Sequence, residues 1–298
     1  AEKVSAALEA LQALAVTTQS ATPSGDGPAR ADGEILEPDP GTTPLWQDIE
    51  VRGLFEADVP RKKVVDALVD SLDLRSPERL TWRTVEDQAW ERAWLDRFGP
   101  MRFGKRLWIV PRDMPSPAGR GSTVVRLDPG LAFGTGAHAT TALCLEWLDG
   151  QDLKGKRVVD YGCGSGVLAI AAALKGAARV IAVDNDPQAI EACTLNARHN
   201  HVHGQVMPCL PQHYDALLRD TLRGMEGVDV VMANILARPL IQLAPVLTRS
   251  LKSGGKLVLS GLLDSQSDSV RRAYRRAFGK LSVTPQDGWA RLEGVKRG

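Results

Sequence analysis

This sequence of 298 residues has little cysteine, few aromatic residues and no excess of either charge. Its four cysteines form no Cys-x-x-Cys pair, which argues against a disulfide framework or a thiolate zinc site and favours a reduced compartment. The 37 basic residues balance 36 acidic ones, so non-specific attraction to nucleic acid is not indicated. No signal peptide and no apolar run long enough to span a bilayer are evident. We therefore expect a soluble cytoplasmic protein with no membrane and no nucleic-acid partner.

The most informative segment is an apolar run that is followed by three glycines at alternating positions. Residues 158–166 read Val-Val-Asp-Tyr-Gly-Cys-Gly-Ser-Gly, and a second apolar run at 180–183 ends just before Asp184. This pattern is typical of the first β-α-β unit of a nucleotide-binding sheet, in which an acid after the second strand accepts hydrogen bonds from ribose hydroxyls. We therefore assign Asp184 to the ribose of the ligand.

The spacing of the glycines selects the type of ligand. A dinucleotide fingerprint has its third glycine five positions after the first, where this sequence has Val167. Gly162 and Gly164, which follow Asp160, are instead typical of sites for S-adenosylmethionine. We assign both glycines to the methionine end of this donor and Asp160 to its amino group. A dinucleotide site, a tight turn without a ligand, and a purely structural role for Asp160 remain the alternatives.

Two other segments carry polar groups that suit such a site. A glycine-rich loop at 128–136 contains Phe133, which we assign to the donor, and leads into a helix that begins near Thr140 or Thr141. There, Thr141 can place its hydroxyl and backbone N–H groups near the donor carboxylate, or it can simply cap the helix. Asn234 follows the apolar strand 228–233. Its amide oxygen can accept a hydrogen bond from an incoming amine, with a turn role as the alternative.

The sequence shows no obvious acid–base or metal-binding set. Methyl transfer from a sulfonium is an in-line displacement that needs no proton on the leaving group, so a site of this kind requires alignment and exclusion of water. His199, His201 and His203 alternate in a connection without acids or cysteines at ligand spacing, so we expect loop histidines and no metal. We expect His138 to order the glycine loop rather than to act as a base.

Strands and helices alternate over the C-terminal two thirds of the chain. The predicted strands cover 156–160, 179–183, 205–208, 228–233 and 255–260. Predicted helices include 187–198, 237–250 and 266–277, and a hairpin of 281–283 with 289–294 follows. This order predicts an α/β fold with a doubly wound parallel sheet, to which the hairpin adds an antiparallel strand.

The N-terminal part predicts a smaller α+β domain. We expect a helix over 1–14 with Val4, Leu8, Leu11 and Leu14 on one stripe, strands at 15–18 and 49–51, a helix over 64–72 and a strand at 80–84. This order is ferredoxin-like but lacks its first strand, which we expect upstream of Ala1. An exposed loop is predicted over 19–44.

We accordingly divide the chain into three parts. Residues 1–85 form the N-terminal domain, residues 86–99 a linker helix, and residues 100–298 the donor-binding domain. The linker helix carries Trp90 and Trp94 one turn apart, and we expect these to pack against a domain.

Several motifs together resemble one bacterial family. They read Leu-Asp-Pro-Gly-Leu-Ala-Phe-Gly-Thr-Gly-Ala-His-Ala-Thr-Thr at 127–141, Asp-Tyr-Gly-Cys-Gly-Ser-Gly at 160–166, Ala-Val-Asp-Asn-Asp-Pro at 182–187 and Ala-Asn-Ile-Leu at 233–236. They are similar to the bacterial methyltransferases that modify large-subunit ribosomal protein eleven. The similarity extends through Pro-Met-Arg-Phe-Gly at 100–104, the Trp90 and Trp94 helix, and Pro-Leu-Trp at 44–46.

This resemblance implies a class I S-adenosylmethionine-dependent methyltransferase, with a Rossmann-like seven-stranded sheet behind a small substrate-recognition domain. It implies methylation of lysine side chains and of the N-terminal α-amine, with S-adenosylhomocysteine as the product, and we expect a monomer. In that family the donor contacts would fall on Thr141, Gly162, Asp184 and Asn234. Departures at Ala137 and Ala139, where Thr and Pro are more usual, bear on loop rigidity more than on chemistry.

Other functions remain open at this point. The nearest is a related lysine methyltransferase that acts on another protein, such as an electron-transfer flavoprotein subunit. A methyltransferase of RNA or of a small molecule is possible on the same fold, because a fold alone does not define a substrate. A non-enzymatic regulatory module that only binds the donor is the third alternative.

Overall fold

The computed structural model describes residues 2–20, 49–72, 80–84, 99–127 and 138–298. The chain divides into two compact units, Ala1–Gln88 and Ala89–Gly298. Several predictions lie outside the described residues, namely the linker helix with Trp90 and Trp94, the glycine loop with Phe133, the motif at 44–46 and most of the loop over 19–44.

The smaller unit consists, in its described part, of two helices and a two-stranded sheet. Its order is α1 (Glu2–Ala10), β1 (Ala15–Ser20), β2 (Ile49–Leu54) and α2 (Arg61–Leu72). The two strands pair antiparallel. Leu8 of α1 and Val64 and Leu68 of α2 form the buried centre of the unit. The predicted α-β-β-α order is therefore present.

The first helix is shorter than expected. It ends at Ala10, and Leu14, which we predicted on its apolar stripe, is 59 % exposed. The chain leaves the helix at Gln12, whose φ of 62° is in the left-handed region. A helical stripe cannot continue through such a residue, so the prediction for Leu14 was wrong.

The strand predicted at residues 80–84 was also wrong, because no described strand pairs with this segment. Its alternating pattern has a different origin. The Trp82 ring lies against Phe55, with 6.1 Å between the ring centroids, and the Arg61 guanidinium lies over its face. The alternation therefore reflects side-chain packing rather than backbone pairing.

The larger unit begins with a small three-stranded sheet of β3 (Met101–Phe103), β4 (Leu107–Pro111) and β5 (Thr123–Leu127). Strands β3 and β4 form an antiparallel hairpin, which turns at Gly104 with a φ of 62°. Next to the turn, the Asp149 carboxylate accepts hydrogen bonds from the backbone N–H groups of Lys105 and Arg106 at 2.7 and 3.1 Å. Strand β5 then pairs parallel to β4.

A seven-stranded sheet forms the centre of the larger unit. Its strands are β6 (Arg157–Tyr161), β7 (Arg179–Val183), β8 (Val206–Cys209), β9 (Val228–Asn234), β10 (Leu251–Leu263), β11 (Ser282–Gln286) and β12 (Trp289–Val295). They lie in the order β11-β12-β10-β9-β6-β7-β8. Strand β12 runs antiparallel to both of its neighbours, β10 and β11, and the other six strands point in one direction. The order reverses between β6 and β9. The predicted doubly wound α/β sheet is therefore confirmed.

Seven helices of the described residues cover this sheet. They are α3 (Ala139–Asp149), α4 (Val167–Leu174), α5 (Pro187–His199), α6 (Pro211–Leu222), α7 (Ala237–Gln242), α8 (Ala244–Ser250) and α9 (Ser267–Tyr274). The single helix predicted over 237–250 is broken at Leu243. Pro245 lacks the N–H group that would continue the helix, and it lies in the first turn of α8, where none is needed.

The final helix is also shorter than expected, since α9 follows a 3-10 turn and ends at Tyr274. Side chains of the central strands point alternately to the two faces of the sheet. Val158 and Val230 belong to one buried cluster, and their neighbours Val159 and Val231 belong to the other. This double burial explains why the strands are continuous apolar runs in the sequence.

The four cysteines are buried and free. Burial raises the pKa of Cys144 to about 12 and that of Cys209 to about 11, so both thiols stay protonated at neutral pH. Over the ranges that the structure describes, no group of three or more His, Cys, Asp and Glu side chains is arranged to hold a metal ion. None of the helices in these ranges has the length and apolar character that a membrane crossing requires.

Candidate active site

The predicted site residues lie at the carboxyl ends of three adjacent strands. Gly162 follows β6, Asp184 follows β7, and Asn234 is the last residue of β9. Strand order reverses here, and ligands of open α/β sheets bind at such a point. Thr141, in the first turn of α3, reaches the same edge through a hydrogen bond to Asn234. Of the assigned residues, Phe133 alone is outside the described ranges.

The Asp184 carboxylate is held by backbone N–H groups of the site. Its Oδ2 accepts a hydrogen bond from Gly164 at 2.8 Å, and its Oδ1 accepts one from Asp186 at 3.1 Å. The side chain is half-buried. Each carboxylate oxygen can accept a further hydrogen bond, so both can still receive ribose hydroxyls. The N–H group of Gly164 is already used, so this glycine contributes to the site by orienting Asp184.

Gly162 has a φ of 84°, and its N–H donates to Val183 O at 2.7 Å. A Cβ at this position would collide with Cγ2 of Ile235, the residue after Asn234. The absence of a side chain at Gly162 therefore lets the ends of β6 and β9 approach each other. Sequence reasoning assigned this glycine to the ligand and missed its contact with Ile235.

The third glycine has a packing role. A Cβ on Gly166, which has a φ of 79°, would overlap Cys193 of α5. On the same helix, the buried Asn196 donates from Nδ2 to the Ser165 carbonyl at 2.9 Å and so fixes the loop. We did not predict this contact. Its sequence signal is a single amide on the apolar face of α5, where Ala192, Cys193 and Ala197 are also buried.

Asp160 is fully buried, and its two oxygens differ. Oδ2 accepts a hydrogen bond from the Ala169 N–H in the first turn of α4 at 3.0 Å, whereas Oδ1 has no partner among the described residues. Burial raises the pKa of Asp160 to about 7. The carboxylate therefore gains most from a nearby cation, and a donor ammonium group would supply one.

Asn234 also has one used and one unused polar atom. Its Nδ2 donates to Thr141 Oγ1 at 3.2 Å, and its Oδ1 is buried without a partner among the described residues. Thr141 is itself buried, and its backbone N–H donates to the His138 carbonyl at 3.0 Å. The amide is thus held by one end, and its oxygen is free to accept a hydrogen bond.

His138 organises the start of α3. Its Nδ1 accepts a hydrogen bond from the Thr140 N–H at 3.4 Å and lies 2.8 Å from Thr140 Oγ1. The edge of the ring meets Trp289 of β12, with 4.7 Å between the ring centroids. The contact with Trp289 was not predictable, because the two residues are far apart in the sequence. Both contacts help to place Thr141.

This arrangement fits S-adenosylmethionine. A carboxylate with spare acceptor capacity suits the ribose hydroxyls, and a buried, unpaired carboxylate oxygen suits an ammonium group. The N-terminal turn of α3 suits a carboxylate. A second buried oxygen, Oδ1 of Asn234, also has no partner within the described ranges and can accept a hydrogen bond from an N–H group.

Comparisons with known proteins identify the family of the chain. Residues 1–297 match the family Ribosomal protein L11 methyltransferase (PrmA). A relative of that name from Azotobacter vinelandii is 50 % identical over 271 residues, with 89 % of this chain and 88 % of the relative covered. One from Edwardsiella ictaluri is 48 % identical over 299 residues, with 100 % and 95 % covered.

A solved structure supports the same assignment. The ribosomal protein L11 methylase from Lactobacillus delbrueckii subsp. bulgaricus is 30 % identical and aligns with a TM-score of 0.58, over 67 % of this chain and 100 % of that one. The expected class I methyltransferase fold and the methyl donor S-adenosylmethionine are thereby confirmed. The chain belongs to the Ribosomal protein L11 methyltransferase (PrmA) family.

Proposed function

We propose that Asn234 aims the acceptor amine in this chain, an S-adenosylmethionine-dependent methyltransferase of ribosomal protein L11. The observation that carries this proposal is the buried Oδ1 of Asn234, which has no partner in the part of the chain that the structure describes, although Nδ2 is bonded to Thr141. A buried acceptor without a partner costs about 1–3 kcal/mol. Such a cost is understandable where a substrate supplies the missing donor.

When bound, S-adenosylmethionine supplies an electrophilic methyl group on a sulfonium. The acceptor nitrogen must present a free lone pair, but an unperturbed lysine has a pKa of about 10.4, so only about one molecule in a few thousand is neutral at pH 7. Exclusion of water favours the neutral amine. An N–H group donated to Asn234 Oδ1 then fixes the rotation of the amine, so that its lone pair has one direction.

The other assigned residues would hold the donor. We propose that Asp184 binds the ribose hydroxyls, Thr141 the carboxylate and Asp160 the ammonium group, while the backbone of Gly162 lines the methionine end. Gly164 acts through Asp184, whose orientation it fixes. Phe133 stays a predicted donor contact.

The smaller unit is the proposed recognition domain for the acceptor. Residues 1–88 contain 17 Asp and Glu residues against 9 Lys and Arg residues, a net charge of −8. A lysine-bearing acceptor is attracted by such a unit, and charge complementarity raises the rate of encounter. We also propose a cytoplasmic location, on the basis of the free cysteines and the ribosomal acceptor, and we expect a monomer.

The acceptor can be tested directly. The full chain is incubated with labelled donor and either ribosomal protein L11 or an electron-transfer flavoprotein subunit, and the products are analysed by mass spectrometry. We expect methyl groups on L11 lysines and on its α-amine, and none on L11 that was acetylated beforehand at its amines. Incorporation only into the flavoprotein subunit would establish the rival acceptor. Binding of the donor without any incorporation would favour a regulatory module.

A further inference from the structure

One surface of the larger unit, remote from the site, carries an unbalanced positive charge. Six basic residues lie in the last turn of α9, in the segment after it and near the end of the chain. We call them the α9 basic surface: Arg271, Arg272, Arg275, Arg276, Lys280 and Arg297. Arg297 belongs to this surface because its guanidinium lies against Gly279. A Cβ built on Gly279 would be 3.2 Å from Nε of Arg297.

Few acidic groups compensate this charge. Arg271 donates to Asp268 at 3.2 Å, and Arg272 donates to the Ser269 hydroxyl at 3.0 Å. Within the described ranges, Arg275, Arg276 and Lys280 form no ion pair, and all three are exposed. A cavity of about 300 Å³ has four basic residues in its lining, Arg271, Arg272, Arg275 and Lys280, and Asp268 is the one acid there.

Helix stability does not require this arrangement. A helix C-terminus favours cations in its last turn, but α9 ends at Tyr274, and Lys280 and Arg297 lie beyond the reach of that effect. Arg271 and Arg275, like Arg272 and Arg276, are four residues apart, a spacing at which like charges repel.

Another cavity on the same unit shows the ordinary, balanced case. Its lining has three acids, Glu146, Asp149 and Asp152, beside four basic residues, Lys105, Arg106, Lys154 and Lys175, so most of the positive charge is compensated. The larger unit as a whole contains 28 Lys and Arg residues against 19 Asp and Glu residues, a net charge of +9. The near-zero charge of the chain, from which we expected no nucleic-acid partner, is therefore the sum of two opposite charges.

The surface lies at the edge of the sheet opposite to the site. Phe278 forms a bridge with Lys296, just after the carboxyl end of β12, and Arg297 N donates to Ala277 O at 2.9 Å. Because β12 is antiparallel to β10, its carboxyl end meets the amino ends of the parallel strands. Asn234 and Asp184 lie at the carboxyl ends of these parallel strands, so the α9 basic surface and the site are at opposite edges of the sheet.

The composition of the surface indicates the type of partner. Arginine and lysine side chains that cluster in an exposed patch suit phosphate groups. The aromatic residues of this segment, Tyr274 and Phe278, are buried, so they offer no platform on which unpaired bases could stack. The contacts that this surface can make to nucleic acid are therefore those of its arginine and lysine side chains to the phosphate backbone of a duplex.

We propose that the α9 basic surface binds the phosphate backbone of double-stranded RNA, without sequence preference. The choice of RNA over DNA rests on the proposed function, because the acceptor is a ribosomal protein and ribosomes contain RNA. The contact with phosphates itself rests only on the charge and shape of the surface.

The test measures binding of the full chain to a fluorescent RNA duplex of about 20 base pairs, by anisotropy, between about 50 and 200 mM salt. The variant Arg275→Gln/Arg276→Gln should bind about tenfold more weakly and lower the slope of log K against log salt by about two. The matched control is Arg198→Gln/Arg219→Gln, which removes two exposed arginines from α5 and α6 and changes the net charge equally.

Each outcome bears on the proposal. An unchanged affinity of the Arg275/Arg276 variant for the duplex would refute binding at the α9 basic surface. An equal loss of affinity in the control variant would refute it as well. Displacement of the duplex by polyglutamate as readily as by unlabelled RNA would assign the surface to acidic proteins instead, and tighter binding of a DNA duplex would overturn the choice of RNA. Methylation of isolated L11 by the Arg275/Arg276 variant should equal that of the wild type. If L11 is not a substrate at all, the binding assay still reports on the surface.

Discussion

Two of the three strand ends at the site, those of β7 and β9, differ in how many of their polar side-chain atoms have hydrogen-bond partners. At the end of β7, both oxygens of Asp184 accept backbone N–H groups, from Gly164 and Asp186. At the end of β9, the amide of Asn234 is bonded through nitrogen alone, and its buried oxygen has no described partner. We propose that the first arrangement holds a carboxylate in place for the methyl donor. We propose that the second leaves one hydrogen-bond acceptor open for the amine of the substrate.

This difference separates donor binding from methyl transfer. A group that binds donor and transition state equally affects affinity, whereas a group that acts on the incoming amine affects turnover. Buried polar atoms without a partner are few in folded proteins, so an open oxygen at a strand end is a sign of function.

The largest effect is expected at the β9 end. Asn234→Ala should lower kcat about 100- to 1,000-fold, the range observed when one positioned hydrogen-bonding group is removed from an active site. Donor affinity, measured by calorimetry, should change less than about threefold, because the missing oxygen is the one that we assign to the acceptor. Unchanged turnover would remove Asn234 from the mechanism.

The β7 end should give the opposite result. Asp184→Ala should weaken donor binding about 10- to 100-fold, because hydrogen bonds to a charged group contribute about 1.5–3 kcal/mol each. At saturating donor, kcat should change little. The control is Asp186→Ala, which removes a side chain that caps α5 by accepting from Gln188 N at 2.8 Å. A loss of donor affinity in the control equal to that in Asp184→Ala would indicate loop damage rather than a lost contact.

A pH dependence of donor affinity should arise from Asp160, between these two ends. Burial raises its pKa to about 7, so the carboxyl is neutral below that pH and cannot pair with an ammonium group. Between pH 7 and pH 5 donor affinity should therefore fall, by up to about tenfold per unit. Asp160→Asn should show a flat profile, and an identical slope in both proteins would exclude Asp160 from the donor site.

The same group affects stability in the opposite direction. The pKa of Asp160 in the folded protein lies above its ordinary value of 3.8, so the folded state binds this proton more tightly than the unfolded state does. Its contribution to the free energy of unfolding is therefore present at low pH and is lost as the pH rises from about 4 to about 7. Chemical denaturation of the wild type and of Asp160→Asn between about pH 4 and pH 7 would isolate this contribution to the free energy of unfolding.

The smallest effect is expected at His138. His138→Ala removes the cap of α3, which should cost about 0.5–2 kcal/mol of stability, and should lower kcat a few-fold because Thr141 is in the first turn. Asparagine is a good capping residue, so His138→Asn should recover most of both losses. A full loss of kcat in His138→Asn, with stability restored, would give the imidazole a role beyond capping.

The parts of the site that the sequence predicted are those that depend on local pattern. Asp184 and Asn234 follow apolar runs, and the ends of parallel strands meet at one edge, so their proximity followed from strand order alone. Contacts between distant segments were not predictable. Examples are the packing of Ile235 over Gly162 and the ring contact of His138 with Trp289.

Backbone pairing was the other source of error. The alternating pattern at 80–84 correctly indicated side chains that pack on one face. A strand also requires a neighbouring strand with which to pair, and the pattern does not show whether one is present. The break of the predicted helix 237–250 at Leu243 is indicated in the sequence by Pro245. Proline interrupts a helix even where the apolar periodicity continues through it. The charge of the α9 basic surface was hidden because the net charge was taken over the whole chain.

The central claim is that Thr141 holds the amide of Asn234 so that its oxygen meets the amine. A double-mutant cycle of Asn234→Ala and Thr141→Val, with kcat measured at saturating donor, tests this most directly. We predict strong non-additivity, with the double variant no slower than Asn234→Ala alone, because Thr141 cannot position an amide that is absent. Independent losses that multiply in the double variant would contradict the claim.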